Sequence, residues 1–289
     1  NKEAVPFIKS SFSEQFALEI IPNIRPTMRE ENLEPATKKI HQLFLDNVME
    51  RAPGYSALKK LANDDIIPTP YGVLKSLEIL GKSQNKNILS FDLGGATTDM
   101  FSNIQGKFFR TVSANIGMSY SCANVLSETE YKNIAKWLPS DYQEDVVRNY
   151  ISNKTLYPNY LPENKSEQLI EKSIAKNAIY LAKKQHFAMN FETEQVGFLN
   201  KMHNKFKGKL SLEIIFNKLK NVKFQYKDLD IFIACGGIIS HTDNPVETIL
   251  MINDSLEPLG FTEIWKDRHF HTPHIGKLSQ INQKAAQTY

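Results

Sequence analysis

The fold of this chain is decided by residues 87–102, which have the sequence NILSFDLGGATTDMFS. A short apolar run ends in Asp92, and two glycines, two threonines and a second aspartate follow. An apolar run of this length next to turn residues predicts a buried strand. Gly94 and Gly95 predict a tight turn at its end, because glycine permits positive φ and a close backbone approach.

The groups around this turn suit a bound phosphate. Exposed backbone N–H groups there, together with the hydroxyls of Thr97 and Thr98, can donate hydrogen bonds to phosphate oxygens. The Asp92 carboxylate would repel a bare phosphate, but it suits a Mg²⁺ ion or a polarised water between the two. The alternative is an ordinary β-hairpin with glycine and threonine in its turn, which an isolated Gly-Gly would favour.

Composition sets the class of protein. The 289 residues are 41% hydrophobic and 23% charged, which is normal for a soluble globular chain. A formal net charge of +3 is too small to imply a nucleic-acid partner. Cys122 and Cys235 lie far apart in sequence, which argues against a disulfide framework and against an all-cysteine metal site. Apolar runs are strand-sized and no leader opens the chain, so we expect a cytoplasmic protein without a membrane partner.

Strands that alternate with helices predict an α/β fold. Gln105 and Gly106 are a tight-turn signal between two β-rich runs, and Gly81 follows an apolar helical pattern as an expected helix end. The patterns predict helices at about 36–52, 71–80, 120–138, 166–185 and 246–253, and strands at about 16–22, 88–91, 97–104, 107–114 and 231–236.

A second motif lies downstream, at residues 230–241, DIFIACGGIISH. A buried strand is predicted to end there in Gly236 and Gly237. Such a glycine pair after a strand is more often a plain turn than a binding site. Its significance depends on its order and spacing relative to the first motif.

The first motif, Asp-x-Gly-Gly-x-Thr-Thr-Asp before a hairpin and a helix, resembles the second phosphate motif of the actin, Hsp70 and sugar-kinase superfamily. In that superfamily two related lobes clamp Mg-ATP, and a later strand ending in Gly-Gly lies under the adenosine. Residues 230–241 supply that strand about 140 residues after Asp92. The two motifs together therefore imply an actin-like fold.

Scattered segments narrow the resemblance to the MutL family, the accessory proteins of adenosylcobalamin-dependent glutamate mutase and related mutases, unrelated to the mismatch-repair protein of that name. These segments are IIPNIRP…LEPATKKIHQLFLDNVMERAPG, IIPTPYGV, FDLGGATTDMFS, RTVSANIGM and LEPLGFTEIW…TPHIGKLS. Family members begin with another actin-like lobe that carries the first phosphate motif, for which this chain has no counterpart. The chain is therefore expected to be a C-terminal portion that lacks the first lobe.

The resemblance implies an actin-like ATPase (ribonuclease H-like) lobe, with a mixed sheet flanked by helices. Residues 1–85 are expected to form a lead-in and inter-lobe helices. Residues 86–289 are expected to form the second ATPase lobe, with a helical insertion at about 140–227.

The resemblance also implies ATP and Mg²⁺ as cofactors and assigns the site residues. Asp92 would bind the metal and orient the metal-bound or attacking water, while Asp99 would assist catalysis at a metal or simply complete the turn. The remaining assignments are phosphate contacts at Gly94, Gly95, Ala96, Thr97 and Thr98, further nucleotide contacts at Asn115 and Gly117, and adenosine contacts at Gly236, Gly237 and Ile238. Asn115 departs from the family pattern, which has aspartate there, and this puts metal affinity and hydrolysis rate in question.

The implied function is a chaperone-like reactivating factor that uses ATP to release damaged cobalamin from its mutase. Its expected partners are the mutase subunits and ATP or ADP, without nucleic acid, and a homodimer is left open. Two alternatives remain, a small-molecule kinase of the same fold and a non-hydrolysing assembly module. Activators of 2-hydroxyacyl-CoA dehydratases are disfavoured, because the chain lacks their cluster-binding cysteines.

Other features favour structural explanations. His269, His271 and His274 resemble a metal cluster, but surface-loop histidines are the preferred interpretation because few acids lie nearby. His186 is expected at the end of a helix, where histidine suits the helix dipole. The basic run Lys201–Lys227 is expected to be a solvated helix face.

Overall fold

The computed structural model describes residues 2–27, 32–44, 46–47, 51–62, 66–191 and 224–288. These residues divide into two compact units, Asn1–Ile66 and Ile67–Tyr289. The first unit contains helices α1 (Val5–Phe12), α2 (Glu34–Phe44) and α3 (Tyr55–Leu61). The strand predicted at 16–22 is wrong, since residues 17–23 have no regular structure.

The second unit is built on a five-stranded sheet with the order β3-β2-β1-β4-β5. Its strands are β1 (Ile88–Leu93), β2 (Thr98–Ile104), β3 (Lys107–Ser113), β4 (Ile231–Gly236) and β5 (Glu263–Lys266). Strand β2 runs antiparallel to β1 and β3, whereas β4 runs parallel to β1 and β5. The expected mixed sheet is therefore confirmed.

Helices flank this sheet, as predicted. They are α4 (Thr69–Gln84), α5 (Cys122–Thr129), α6 (Tyr131–Ala135), α7 (Glu144–Leu156), α8 (Lys165–Asn190), α9 (Gly237–Ser240), α10 (Pro245–Leu256), α11 (His271–Ile281) and α12 (Gln283–Thr288). Helices α9, α11 and α12 and the short strand β5 were not predicted. The expected insertion at about 140–227 contains α7 and α8, and residues 192–223 lie outside the described residues.

Alternating side chains of the strands enter two hydrophobic clusters, one on each face of the sheet. On one face, Phe91 and Phe232 pack in a cluster that includes residues of α8, such as Ile174. On the other face, Phe101 and Ile233 pack in a cluster that includes residues of α4. Both faces of β1, β2 and β4 are buried, which explains their nearly continuous apolar sequences.

The hairpin of β2 and β3 turns at Gln105 and Gly106, as predicted, with φ of 53° and 75°. Two successive positive φ values match the two-residue turn that suits strand twist. The predicted end of α4 at Gly81 is wrong, because the helix continues to Gln84 and stops before Asn85, where φ is 51°. Gly81 is explained instead by packing, since a Cβ there would lie 1.7 Å from Nδ2 of Asn103.

The helix predicted at 120–138 is divided into α5 and α6 by Glu130, whose φ is 63°. Helices α4 and α11 cross closely through two glycines. A Cβ at Gly276 would lie 1.8 Å from the carbonyl oxygen of Gly72, and one at Gly72 would lie 2.5 Å from that of Pro273. This crossing fixes α11 across the face of the sheet that α4 covers.

His186 lies near the C-terminal end of α8, as predicted, but its side chain is fully buried against the sheet. Its Nε2 lies 2.8 Å from Oγ of Ser102, and its Nδ1 lies 2.9 Å from Oγ1 of Thr111. The histidine therefore joins α8 to β2 and β3. The basic run at Lys201–Lys227 lies almost wholly outside the described residues. Within the described ranges, no helix has the length and apolarity needed to cross a bilayer.

Candidate functional site

Two predicted site residues, Asp92 on β1 and Asp99 on β2, lie in one row across the sheet. Asp92 is paired with Asp99 on β2 and with Cys235 on β4, and Asp99 is paired with Val112 on β3. Asp267 directly follows β5, beyond the pairing of Ala234 with Lys266. Because residues paired across strands share a face, the row places three carboxylates on the α4 side of the sheet.

The turn between β1 and β2 leaves backbone donors available. The Gly94 N–H donates to the carbonyl of Thr97 at 2.9 Å and closes the turn. Within the described chain, no backbone acceptor receives the N–H groups of Gly95 and Ala96, and Ala96 is exposed. Successive N–H groups of this kind form a concave anion-binding surface.

The loop after β3 packs against the back of this turn. The N–H of Met118 donates to the carbonyl of Gly94 at 2.9 Å, and that of Ser119 donates to the carbonyl of Gly95 at 2.7 Å. A Cβ at Gly117 would lie 2.6 Å from the Gly95 carbonyl oxygen, so this position requires glycine. Gly117 therefore supports the turn from behind.

Thr98 and Asn115 differ in their surroundings. The Thr98 hydroxyl is buried and donates to the carbonyl of Ile116 at 2.9 Å. While this bond is in place, the hydroxyl has no hydrogen to offer a phosphate, whereas the Thr97 side chain is only partly buried. The Asn115 side chain is exposed in the loop after β3.

Asp92 lies in an environment that penalises its charge. Burial raises the pKa of the carboxyl, and the negative charges of Asp99 and Asp267 raise it further. In the described part of the protein, the carboxylate accepts no hydrogen bond. A half-buried carboxylate whose pKa is raised in this way is typical of a functional site.

Asp99 is compensated, in contrast, by Arg110 on β3. Nη2 and Nε of the guanidinium donate to Oδ1 of Asp99 at 2.7 and 2.9 Å. Arg110 was not predicted as a site residue, although the sequence carries a signal for it. The two-residue turn at 105–106 fixes the hairpin register, and that register pairs Arg110 with Phe101, diagonally next to Asp99.

The second motif ends at the same edge of the sheet, as parallel strands require. Gly236 has a φ of 119°, and a Cβ there would lie 2.4 Å from the carbonyl oxygen of Leu93. Gly237 is exposed with open space around it, and Ile238 is partly buried at the start of α9. The Gly-Gly turn therefore lies beside the end of β1.

Asp267 was also missed, and it organises this edge. Its Oδ1 accepts the His271 N–H at 2.9 Å, and its Oδ2 accepts the Thr272 N–H at 2.8 Å, so both oxygens cap α11. The Asp267 carbonyl accepts the Ser240 hydroxyl at 2.8 Å, which ties α9 to the end of β5. The aspartate a few residues before a helical pattern was the available signal.

Cys235 is buried and is paired with Asp92 across β4 and β1. Burial, followed by the charges of Asp92 and Asp267, raises the pKa of its thiol to about 12. The group therefore stays a neutral thiol at physiological pH.

The donor set fits Mg²⁺ held jointly with a nucleotide. Among the described residues, no group of three or more histidine, cysteine, aspartate or glutamate side chains could hold a metal ion. Mg²⁺ is usually bound through one or two carboxylates, with water and substrate phosphates completing its shell. Asp92 and the turn after it match that mode of binding.

The histidines predicted in a surface loop lie elsewhere. His271 and His274 are in α11, whereas His269 precedes that helix.

A cavity of about 470 Å³ lies on the same face of the sheet but away from the turn. Its walls come from α4, α11, α12 and β5, and they include Leu80, Trp265 and Ile275. Its polar neighbours Ser76 and Thr272 are already hydrogen bonded within the protein. The free carboxylate and the free N–H groups, not this cavity, therefore mark the candidate site.

Comparison with known proteins identifies a family that this chain matches. The model of a family described as MutL protein matches residues 1–289. Protein MutL of Clostridium tetanomorphum is 24% identical over 250 residues, which cover 80% of this chain and 50% of that protein. This chain thus spans about half the length of that relative.

A chain of the solved PilM-PilN type IV pilus biogenesis complex is 14% identical to this chain, with a TM-score of 0.28. The match covers 77% of this chain and 52% of that chain.

Proposed function

The chain belongs to the MutL family, and we propose that it forms a nucleotide-binding lobe of an actin-like ATPase that serves an adenosylcobalamin-dependent mutase. The observation that carries this proposal is the turn after β1. Among the described residues, the Asp92 carboxylate there has no compensating partner, and no backbone acceptor receives the N–H groups of Gly95 and Ala96, which follow it in the turn. That combination suits a phosphate with an associated Mg²⁺ and has no evident structural purpose.

The sheet topology supports the actin-like part of the proposal. An antiparallel β1–β2–β3 unit continues into parallel β4 and β5, with the order β3-β2-β1-β4-β5. This is the arrangement expected for a ribonuclease H-like lobe. The carboxyl ends of β1 and β4 then bring the phosphate turn and the Gly-Gly turn to the same edge.

The residues at this edge of the sheet have distinct roles in nucleotide binding. The N–H groups of the turn and the Thr97 hydroxyl bind the β- and γ-phosphates, and Gly117 holds the turn in place from behind. Gly236, Gly237 and Ile238 form the surface under the adenosine. Asp92 orients a water, either one that attacks the γ-phosphate or one in the shell of the cation. Mg²⁺, when bound with ATP, supplies charge neutralisation on the phosphates.

The proposed reaction is hydrolysis of ATP. The water oxygen forms a bond to the γ-phosphorus while the bond to the β–γ bridging oxygen breaks, giving ADP, inorganic phosphate and a proton. A carboxylate with a raised pKa, such as Asp92, is suited to accept a hydrogen bond from that water. The useful product is a conformational change, which in the proposed role releases damaged cobalamin from the mutase.

The proposal is tested on the full-length protein with a mutase that has been inactivated by its damaged cofactor. Cobalamin release is followed by absorbance with Mg-ATP and with a non-hydrolysable analogue. The variant Asp92→Asn keeps the size of the side chain and removes its charge. The matched control is Asp141→Asn, which neutralises an exposed aspartate outside the site.

We expect release that requires ATP, and loss of this release in Asp92→Asn but not in the control. Hydrolysis of ATP without any effect on a mutase, accompanied by a phosphorylated small molecule, would instead favour the kinase alternative. Binding of ATP without turnover would favour the assembly module, which the uncharged Asn115 keeps open.

A further inference from the structure

In the ion pair of Asp99 and Arg110, two donors hold one oxygen of the carboxylate. Both Nη2 and Nε approach the same oxygen, Oδ1, at 2.7 and 2.9 Å. The guanidinium carbon also lies 5.7 Å from the centroid of the Phe101 ring. With its side chain held at both the ring and the carboxylate, Arg110 restricts how Asp99 can rotate.

The sheet register explains why a cation is needed at this position. Asp99 and Asp92 are directly opposite each other on antiparallel strands, and like charges in that relationship destabilise a sheet. Arg110 lies one row away, paired with Phe101, and reaches Asp99 diagonally. Among the described residues, Arg110 is the cation that forms an ion pair with Asp99, whereas Asp92 has none.

The pair leaves part of Asp99 available. Within the described ranges, Oδ2 accepts no hydrogen bond, although the side chain is only 12% exposed. An ammonium group in place of the guanidinium would supply the charge but not the rigid pair of N–H donors that converge on Oδ1. The geometry therefore goes beyond simple charge compensation.

We propose that Arg110 is a positioning residue, which orients Asp99 so that Oδ2 accepts a hydrogen bond from the water shell of a nucleotide-bound Mg²⁺ beside Asp92. This inference rests on the proposed function, because it requires Mg-nucleotide at the same turn. It also resolves the role of Asp99, which the sequence left open between a metal-assisting group and a turn residue. Mg²⁺ retains several waters when it binds, so a carboxylate outside its first shell, such as Asp99, can accept a hydrogen bond from one of these waters.

The test measures ATP binding to the full-length protein by titration calorimetry, in Mg²⁺ and again in EDTA. For Arg110→Gln we expect affinity in Mg²⁺ to fall at least about tenfold, as for other outer-shell partners of metal sites. Affinity in EDTA should change less than about twofold, since the contact acts through the cation. The affinity of Arg110→Lys for ATP in Mg²⁺ should lie between that of the wild type and that of Arg110→Gln.

Lys107→Gln is the matched control, because it removes one positive charge from the same strand at an exposed position. It should bind ATP like the wild type in both conditions. A melting curve for each variant checks folding, and Arg110→Lys keeps the test decisive if Arg110→Gln does not fold.

A double variant separates positioning from an independent effect. If Arg110 acts through Asp99, then Arg110→Gln added to Asp99→Asn should change Mg-ATP affinity less than about twofold further. Additive losses, or equal losses in Mg²⁺ and EDTA, would overturn the inference and leave the proposed function standing. A wild type that binds no Mg-ATP would overturn both.

Discussion

Gly117 lies directly behind the carbonyl of Gly95, where a Cβ would be 2.6 Å from that oxygen. The turn after β1 and the loop after β3 therefore touch backbone to backbone, joined by two hydrogen bonds at Gly94 and Gly95. The shape of the candidate phosphate turn depends on a residue that lies more than twenty positions later in the sequence.

Gly117→Ala should destabilise the protein by about 1–3 kcal/mol, because its methyl group meets backbone atoms that cannot rotate away. It should also weaken ATP binding by displacing the turn. Urea unfolding measures the first effect, with Gly237→Ala as the stability control because no heavy atom lies within 4 Å of its added Cβ. Equal stability of the two variants would contradict the packing argument.

Gly81→Ala should also destabilise the protein, although alanine is the better helix former by about 1 kcal/mol. The new Cβ would lie 1.7 Å from Nδ2 of the buried Asn103, so the strand or the helix must move. Asn103→Ser should restore stability in the Gly81→Ala background, since it removes the clashing amide. Thermal unfolding of both variants decides this, and a stable Gly81→Ala protein would show that Gly81 serves another purpose.

Asp92 should reduce the stability of the protein at neutral pH. Its pKa is raised from an ordinary 3.8, so the folded chain holds this proton more tightly than the unfolded chain does. The stability from this group is present below about pH 3.8 and is lost as pH rises through the folded-state pKa. Asp92→Asn should therefore be more stable than wild type at pH 7, by on the order of 1 kcal/mol.

The difference between Asp92→Asn and wild type should shrink toward acid pH, which urea unfolding at several pH values can measure. Asp141→Asn, at an exposed position, should show no such trend. A variant that is less stable than wild type at pH 7 would mean that the Asp92 carboxylate has a stabilising partner.

Cys235 should be inert toward thiol reagents in the folded protein. With a pKa of about 12 its thiolate is on the order of a thousandfold scarcer near pH 8 than that of a free cysteine. Burial also raises the pKa of Cys122, which is fully buried. Labelling with a chromogenic disulfide should require urea for both cysteines, and rapid labelling of the native protein would contradict their burial.

Lys154 and Glu171 form a buried pair between α7 and α8, with Nζ and Oε1 2.7 Å apart. Lys154→Met should cost about 3–5 kcal/mol, because it leaves the Glu171 carboxylate buried without its cation. Adding Glu171→Gln should recover part of this loss, since the amide oxygen can still accept the Tyr150 hydroxyl. Lys132→Met, in an exposed pair with Glu130, should cost far less, because solvent screens that pair. Chemical unfolding of the four proteins makes the comparison.

Local signals in the sequence were enough to predict the elements that carry the site. Asp92 falls at the end of an apolar run, Gly94 and Gly95 follow it, and Gln105–Gly106 closes the next hairpin. Each signal acts over a few residues through backbone sterics or strand periodicity, so each was visible in the string. The family resemblance gave the order of the two motifs along the chain its functional meaning.

The tertiary structure alone decided which side chains meet. Arg110 reaches Asp99 through hairpin register, and Asp267 joins the edge from a four-residue strand too short to show periodicity. Gly81 was mistaken for a helix end because its true neighbour, Asn103, lies on another element. Such contacts depend on sheet pairing and helix crossing between distant residues. A local pattern shows that a residue suits a strand or a turn, but only the packed sheet brings its partners within a few ångströms.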